Sequence, residues 1–415
     1  MHTKSQAHQL QSFLAQYTLM WNGEIMNGYP VSLLHYPQEW IELLDSLSSD
    51  ELYAVDCKQF PLKIKDSSFA QFMSTLIELS HLPNIAPLPE IPLEAWAFNG
   101  VKKKKQHEIQ NIVPVLKKTK AENNFDYVVD IGGGVGHLSR VLAHYHGIGS
   151  ISLDRDPYFQ KIGEGRLQKY RKLEGHQEVK FINLNFGDEK DESSLKDIFR
   201  PESFGLGLHT CGALANILIQ KSIDFKTTGL LSFGCCYHRL NPEIDFPLSL
   251  FYKENHFFKL NLYGLSLATR SHAEMTFEDY QTKERVKYYR YGLHLFLMKN
   301  FGSNYFTEVG ECPIKTYWGS FAAYIRSKLA ELKLEHHFSD QDFDQFYNDP
   351  HTQKELRVMF LCNIIRWQLG RALEVYLLLD RCLYLEEQGH TVSIEQYFEE
   401  ALSPRNIGIL ALLKK

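Results

Sequence analysis

Tyr127-Val-Val-Asp-Ile-Gly-Gly-Gly-Val-Gly136, followed by HLSRVLAHY, decides the reading of this chain. Apolar residues running up to Asp130 read as a buried strand. Gly132, Gly133, Gly134 and Gly136 follow as a turn, and Leu138, Val141, Leu142 and Tyr145 then recur at helical spacing. Glycines let a backbone turn tightly and approach a ligand closely. Strand, glycine turn and helix in that order are the start of a nucleotide-type βαβ unit. A dinucleotide fingerprint needs Gly-x-Gly-x-x-Gly or Ala. Counted from Gly132 the last place holds His137, and from Gly134 it holds Ser139, so neither frame fits. The Gly-Lys-Ser/Thr of a phosphate-binding P-loop is also absent.

Outward from this stretch, SISLD, VKFINLN, GLGLH and GLLSFGC are short apolar runs separated by helix-like segments. Such alternation predicts a parallel, doubly wound sheet. The second run ends at Asp154, eighteen residues after Gly136. A carboxylate there can accept both ribose hydroxyls of a nucleoside, or can serve as a helix N-cap. The third run is read as ending at Asn185, an adenine contact or an ordinary turn residue. The fourth ends in Leu208-His-Thr-Cys-Gly212 and the fifth in Phe233-Gly-Cys-Cys-Tyr-His-Arg239. Ligands of doubly wound sheets sit beyond the carboxyl ends of the strands. His209, Cys211, Cys235, Cys236, Tyr237 and His238 are therefore reaction-centre candidates, with a histidine as base and Tyr237 as a stacking platform. The cysteines also read as small apolar fillers, or with the two histidines as zinc ligands. Their spacings match no familiar zinc finger, and no metal is expected.

The 415 residues exceed one simple core, and 44% apolar with 23% charged residues is ordinary globular composition. A net charge of −5 rules out a global basic field, so any nucleic acid must be held locally. Lys102, Lys103, Lys104 and Lys105 are one such local run, or a solvated turn. Seven cysteines, an odd number partly inside apolar runs, fit reduced thiols and a cytoplasmic setting. No apolar leader or membrane-length segment occurs, so no membrane is expected as a partner. Oligomeric state is not legible. The sequence divides into an N-terminal helical domain (1–95, with Ser49 as a helix cap and the proline-rich 81–96 as linker), a core (96–240), a helical insertion (241–354), and a last helix with a closing strand pair (355–415).

Asp130-x-Gly132-x-Gly134-x-Gly136 resembles motif I of class I methyltransferases, whose donor S-adenosyl-L-methionine carries no phosphate. A nearby carboxylate then favours the donor's ammonium group. More broadly, KKKKQHEI, VVDIGGGVGHLSR, LHTCGALA, GCCYHRL with FPLS, LLLDRCLYLEEQG and SPRNIGILALLK resemble the methyltransferase-like twenty-five family, with its ribosomal RNA adenine dimethylase domain-containing relatives. The His-x-Cys-Gly and Cys-Cys elements also resemble a tRNA 2′-O-methyltransferase family, although Tyr237 stands where that family has the first of two histidines. Ala213 stands where the first cluster usually has Asp. The resemblance implies a seven-stranded Rossmann-like α/β sheet. It further implies S-adenosyl-L-methionine held by Asp130, Gly132, Gly134, Gly136, Asp154 and Asn185, and methyl transfer to tRNA or rRNA. A protein or small-molecule acceptor, or a non-catalytic protein that keeps the fold, are the alternatives.

Overall fold

The computed structural model describes residues 2–89, 93, 95–188, 192–255, 257–270, 275–303 and 305–414. They form two compact units. One comprises Met1–Ser12, Ser80–Thr269 and Glu374–Lys415; the other comprises Phe13–Leu79 and Arg270–Leu373.

The first unit is built on a seven-stranded sheet. Its strands are β1 (Tyr127–Ile131), β2 (Gly149–Asp154), β3 (Val179–Asn183), β4 (Ser203–Cys211), β5 (Gly229–Cys235), β6 (His390–Gln396) and β7 (Ile407–Leu413). Their order is β3-β2-β1-β4-β5-β7-β6. Only β7 runs against its neighbours, so the sheet is α/β and mostly parallel, as the alternating pattern implied. Every residue of β5 is buried, as a central strand covered on both faces requires. Side chains alternate faces along β1. Val128 packs with Ile109, Ile112, Leu138 and Val141, whereas Val129 and Ile131 pack with Leu153, Leu195 and Leu218. The helices Lys103–Asn123 and His137–His146 thus cover one face, and Glu192–Ile198 and Leu214–Asp224 the other. The closing pair of strands returns to this sheet from the far end of the chain, with Leu231 opposite Leu410.

The second unit is helical. Ser48 with Glu51, Thr276 with Asp279 and Ser339 with Asp342 form capping boxes that start three of its helices. The cap of Ser49–Asp56 is therefore Ser48, one residue before the serine expected. Asp56 is buried and meets Lys283 at 2.5 Å, so the early helices and the inserted ones share a core.

These divisions differ from those read off the sequence. Residues 13–79 and 270–373 make one unit, where two separate helical domains were expected. Residues 241–269 stay with the sheet because buried Asp380 accepts the backbone N–H groups of Leu248 (2.7 Å) and Ser249 (2.9 Å). Helix periodicity could not separate the helix Pro350–Gln368 from the helix Gly370–Glu387 that follows, within which the boundary between the units falls. In the proline-rich stretch, Pro83 and Ile85 bond to Gln396 at the end of β6. Residues 90–92 and 94 of it lie outside the described residues. No described helix is long and apolar enough to cross a membrane.

Candidate active site

The carboxyl ends of β1 and β2 form a cradle made mostly of backbone. Gly132, Gly134 and Gly136 all have left-handed φ, between 58° and 68°, a region costly for residues with a Cβ. A Cβ at Gly132 would meet nothing within 4 Å, and at Gly134 only Asp154 Oδ2 at 3.9 Å. The turn is therefore open to a ligand there. Gly136 is different, because a Cβ would run into the Phe181 ring at 2.6 Å. Asp154 accepts the Gly134 N–H on Oδ2 and the Asp156 N–H on Oδ1, both at 2.9 Å. Each oxygen keeps a lone pair for a ligand hydroxyl. The helix cap at this place is Asp156, not Asp154. Asp130 is buried and accepts from Ser139 Oγ at 2.7 Å. Burial raises its pKa to about 6. Strand β3 ends at Asn183, so Asn185 lies exposed in the loop two residues beyond.

The ends of β4 and β5 are built from side chains. A bulge shifts the register between Leu208 and Thr210, and His209 at the bulge has φ +63°. Cys236 has φ +53°. A non-glycine residue in this region costs on the order of 1–3 kcal/mol and clusters at functional sites. His209 Nε2 lies 2.7 Å from Glu108 Oε1. Glu108 also accepts from Ser403 Oγ at 2.8 Å, and it lies within ion-pair range of Lys104 and Lys105. Burial opposes the Glu108 charge, but His209, Ser403 and Lys105 outweigh it and its pKa is lowered. A carboxylate on Nε2 holds the His209 proton there and leaves Nδ1 free to accept one.

Cys211 Sγ lies 3.3 Å from the sulfurs of both Cys235 and Cys236. Contact with Cys235, reinforced by Cys236 and Arg239 against burial, lowers the Cys211 pKa to about 5; the Cys235 thiol is pushed up by its contact with Cys211 and by burial. Gly212 donates its N–H to the Cys235 carbonyl at 2.9 Å, tying the two strand ends together. A Cβ at Gly234 would lie 2.2 Å from Arg381 Nη1, so a side chain there would displace the buried guanidinium.

Two expectations are corrected. Tyr237 cannot stack on a substrate: it is fully buried, with Arg381 over its ring and its hydroxyl 3.2 Å from Glu374 Oε1. It is core because the turn at Cys236 folds its ring inward. The lysine run is not wholly free, because Lys104 and Lys105 face Glu108. His238 is half-buried on the turn after Cys236, its N–H bonded to Thr269 Oγ1 at 3.0 Å. Glu108 was missed as a functional residue. Its signal lay inside KKKKQHEI, but nothing local pairs it with a histidine 101 positions away.

The strand order, the glycine turn and the acid ending β2 define a methyltransferase domain of class I, whose methyl donor is S-adenosyl-L-methionine. Residues 103–243 match the family model described as "Methyltransferase domain". The chain is 26% identical over 246 residues to human "Probable methyltransferase-like protein 25", covering 54% of this chain and 39% of that protein. The mouse protein of the same name is 26% identical over 248 residues, 54% of this chain and 40% of its own length. The match thus spans about two fifths of the length of these curated relatives, to which the chain is similar.

Proposed function

We propose that the chain is an S-adenosyl-L-methionine-dependent methyltransferase acting on RNA. What supports donor binding most directly is Asp154, fixed by the Gly134 and Asp156 N–H groups with lone pairs to spare for the ribose hydroxyls. Gly132 and Gly134 leave room for the amino-acid end of the donor. Asp130, engaged with Ser139, acts on its ammonium through the field rather than by direct contact. Asn185 is assigned to the adenine. The donor supplies an electrophilic methyl group on a sulfonium sulfur.

His209 lies at the bulge near the carboxyl end of β4, the strand next to β1, and neighbouring strands lie about 5 Å apart. It therefore stands beside the donor turn. Glu108 fixes its tautomer, and Nδ1 takes the proton of an acceptor hydroxyl or amine as the nucleophile attacks in line. His238 and the three cysteines border the same strand ends.

The acceptor class rests on a second feature. An open cleft of about 470 Å³ is lined by Trp96, Asn99, Arg166, Lys169, Tyr170 and Arg171. Arg166 Nη1 lies 3.4 Å from His137 Nε2, directly after the glycine turn. Cations interleaved with aromatic rings suit a nucleic-acid strand, phosphates on the one and bases on the other. The lysine run adds charge near the helix Lys103–Asn123.

Calorimetry with the donor and with S-adenosylhomocysteine tests the first half of the reading. Labelled-methyl transfer into fractionated RNA and protein, from cells lacking the chain, tests the second. Label in RNA is expected. Label only in protein or in small molecules would overturn the RNA assignment, and donor binding without any transfer would mark a non-catalytic protein.

A further inference from the structure

Three sulfurs meet at the ends of β4 and β5. All lie within 4.8 Å of one another, and Cys211 is 3.3 Å from each partner. They are free thiols, far beyond the roughly 2.05 Å of a disulfide. Packing accounts for Cys235, which is buried. It does not account for Cys211 and Cys236, which are only half-buried and so do not fill a void.

The convergence is the work of the backbone. Along a regular strand Cys235 and Cys236 would point to opposite faces. The left-handed conformation at Cys236 cancels that alternation and returns its sulfur to the side of Cys235. In β4 the bulge at His209 shifts the register by one residue, so that Cys211 comes opposite Cys235. Two residues in a disfavoured conformation, one within β4 and one directly after β5, bring three thiols to one point. That is what an ion with soft ligands needs. At a Zn–S distance of about 2.3 Å, tetrahedral geometry sets sulfurs about 3.8 Å apart. The present spacing is within a few tenths of an ångström to an ångström of that value.

We infer that Cys211, Cys235 and Cys236 form a binding site for a thiophilic divalent cation, zinc by ligand type, with three thiolate ligands and one open position. Binding releases to solvent the protons of whichever thiols are still protonated. Four protein ligands would close the site as a structural one, whereas three leave a place for water or for an acceptor atom. The sequence reading set zinc aside because the spacing matched no finger. A finger collects ligands from local turns, and this site collects them from two adjacent strand ends.

The test uses the full chain, reduced and stripped of metal, titrated with zinc against a chromophoric chelator and with cobalt(II) by absorbance. One equivalent per chain is expected, with the thiolate-to-cobalt charge-transfer band and the intense visible absorption of a tetrahedral ion. Zinc should protect Cys211, Cys235 and Cys236 from alkylation, read by peptide mass spectrometry. Cys211→Ser and Cys236→Ser, at half-buried positions, should each weaken zinc by more than the roughly 10–100-fold carried by outer-shell partners. Cys57→Ser, in the helical unit, should leave it unchanged. Absence of stoichiometric binding would overturn the site. So would binding that survives both substitutions, or protection of other cysteines; the protection pattern needs only the wild-type chain and decides the matter even if a variant fails to fold. None of these readouts involves methyl transfer, so failure here is separable from failure of the proposed activity.

Discussion

The ends of β1 and β2 and the ends of β4 and β5 lie along one edge of one sheet, yet they are made of different material. The first region is backbone. Its glycines are open or strained in ways only glycine tolerates, and the Asp154 carboxylate is held by two backbone N–H groups. The second region is side chain. A histidine, a glutamate from a distant helix and three thiols are aimed by a bulge and a left-handed residue. The lesson is that a donor common to a whole class can be met by a local backbone motif. Acceptor chemistry, which varies, is assembled from parts that only the fold brings together.

The largest test of this contrast is Asp154→Ala. It removes the ribose acceptor and the anchor of the turn together. Charged hydrogen bonds contribute about 1.5–3 kcal/mol each, so loss of the two to the ribose should lower donor affinity by roughly 100–10,000-fold. Calorimetry giving unchanged affinity would remove Asp154 from the donor site.

Glu108→Ala should act on the other region. Turnover should fall by about 100-fold with donor affinity little changed, as expected when a base loses its orienting partner. Unfolding in urea should show a loss of about 3 kcal/mol, since buried partners are left unpaired. The pH dependence has a definite sign. The folded pKa of Glu108 is depressed, so its stabilisation is present above the unfolded value of about 4.3 and is lost as pH falls through the folded pKa. The melting-temperature gap between wild type and Glu108→Gln should therefore be widest near neutrality and shrink in acid. A gap independent of pH would mean that the Glu108 charge stabilises nothing.

Gly136→Ala separates the glycines from one another. The left-handed φ and the Phe181 ring should together cost about 1–3 kcal/mol in denaturant unfolding. An alanine at Gly132, where no neighbour stands, should cost less stability but more donor affinity. Equal effects at the two positions would blur the distinction drawn here between a packed glycine and an open one.

The smallest effect is expected from Lys102→Ala with Lys103→Ala. RNA affinity should drop several-fold, and the salt slope should flatten by about one for each phosphate contact removed. The same pair of changes at Lys104 and Lys105 should also disturb turnover, because those two face Glu108. An unchanged slope for both pairs would leave RNA binding to the Trp96–Arg171 cleft.

Much of this was legible because its determinants are local. The order of strand, glycine turn and helix after Tyr127 defined the α/β class and the donor end. The short apolar runs alternating with helical segments read correctly as strands of a mostly parallel sheet, while the place of β5 in that sheet came only from the structure. Asp154 stood out because an acid after the second strand is tied to the turn by short-range geometry. The sequence also carried the family likeness across the six quoted stretches.

Other features depended on contacts between distant residues. Helical periodicity reports that a segment buries one face, but not which segment covers it, so 13–79 and 270–373 could not be joined in advance. Tyr237 read as a stacking platform for a substrate, but after the left-handed turn at Cys236 it lies fully buried in the core. Glu108 became the partner of His209, and Cys211 the neighbour of Cys235 and Cys236, only through the packing of a helix on the sheet and the register of β4 on β5. A one-residue shift in that register would turn the β4 side chains to the other face and disperse the sulfurs. The motif thus specified a turn and its ligand class, while the long-range pairing of strands decided which side chains stand opposite it.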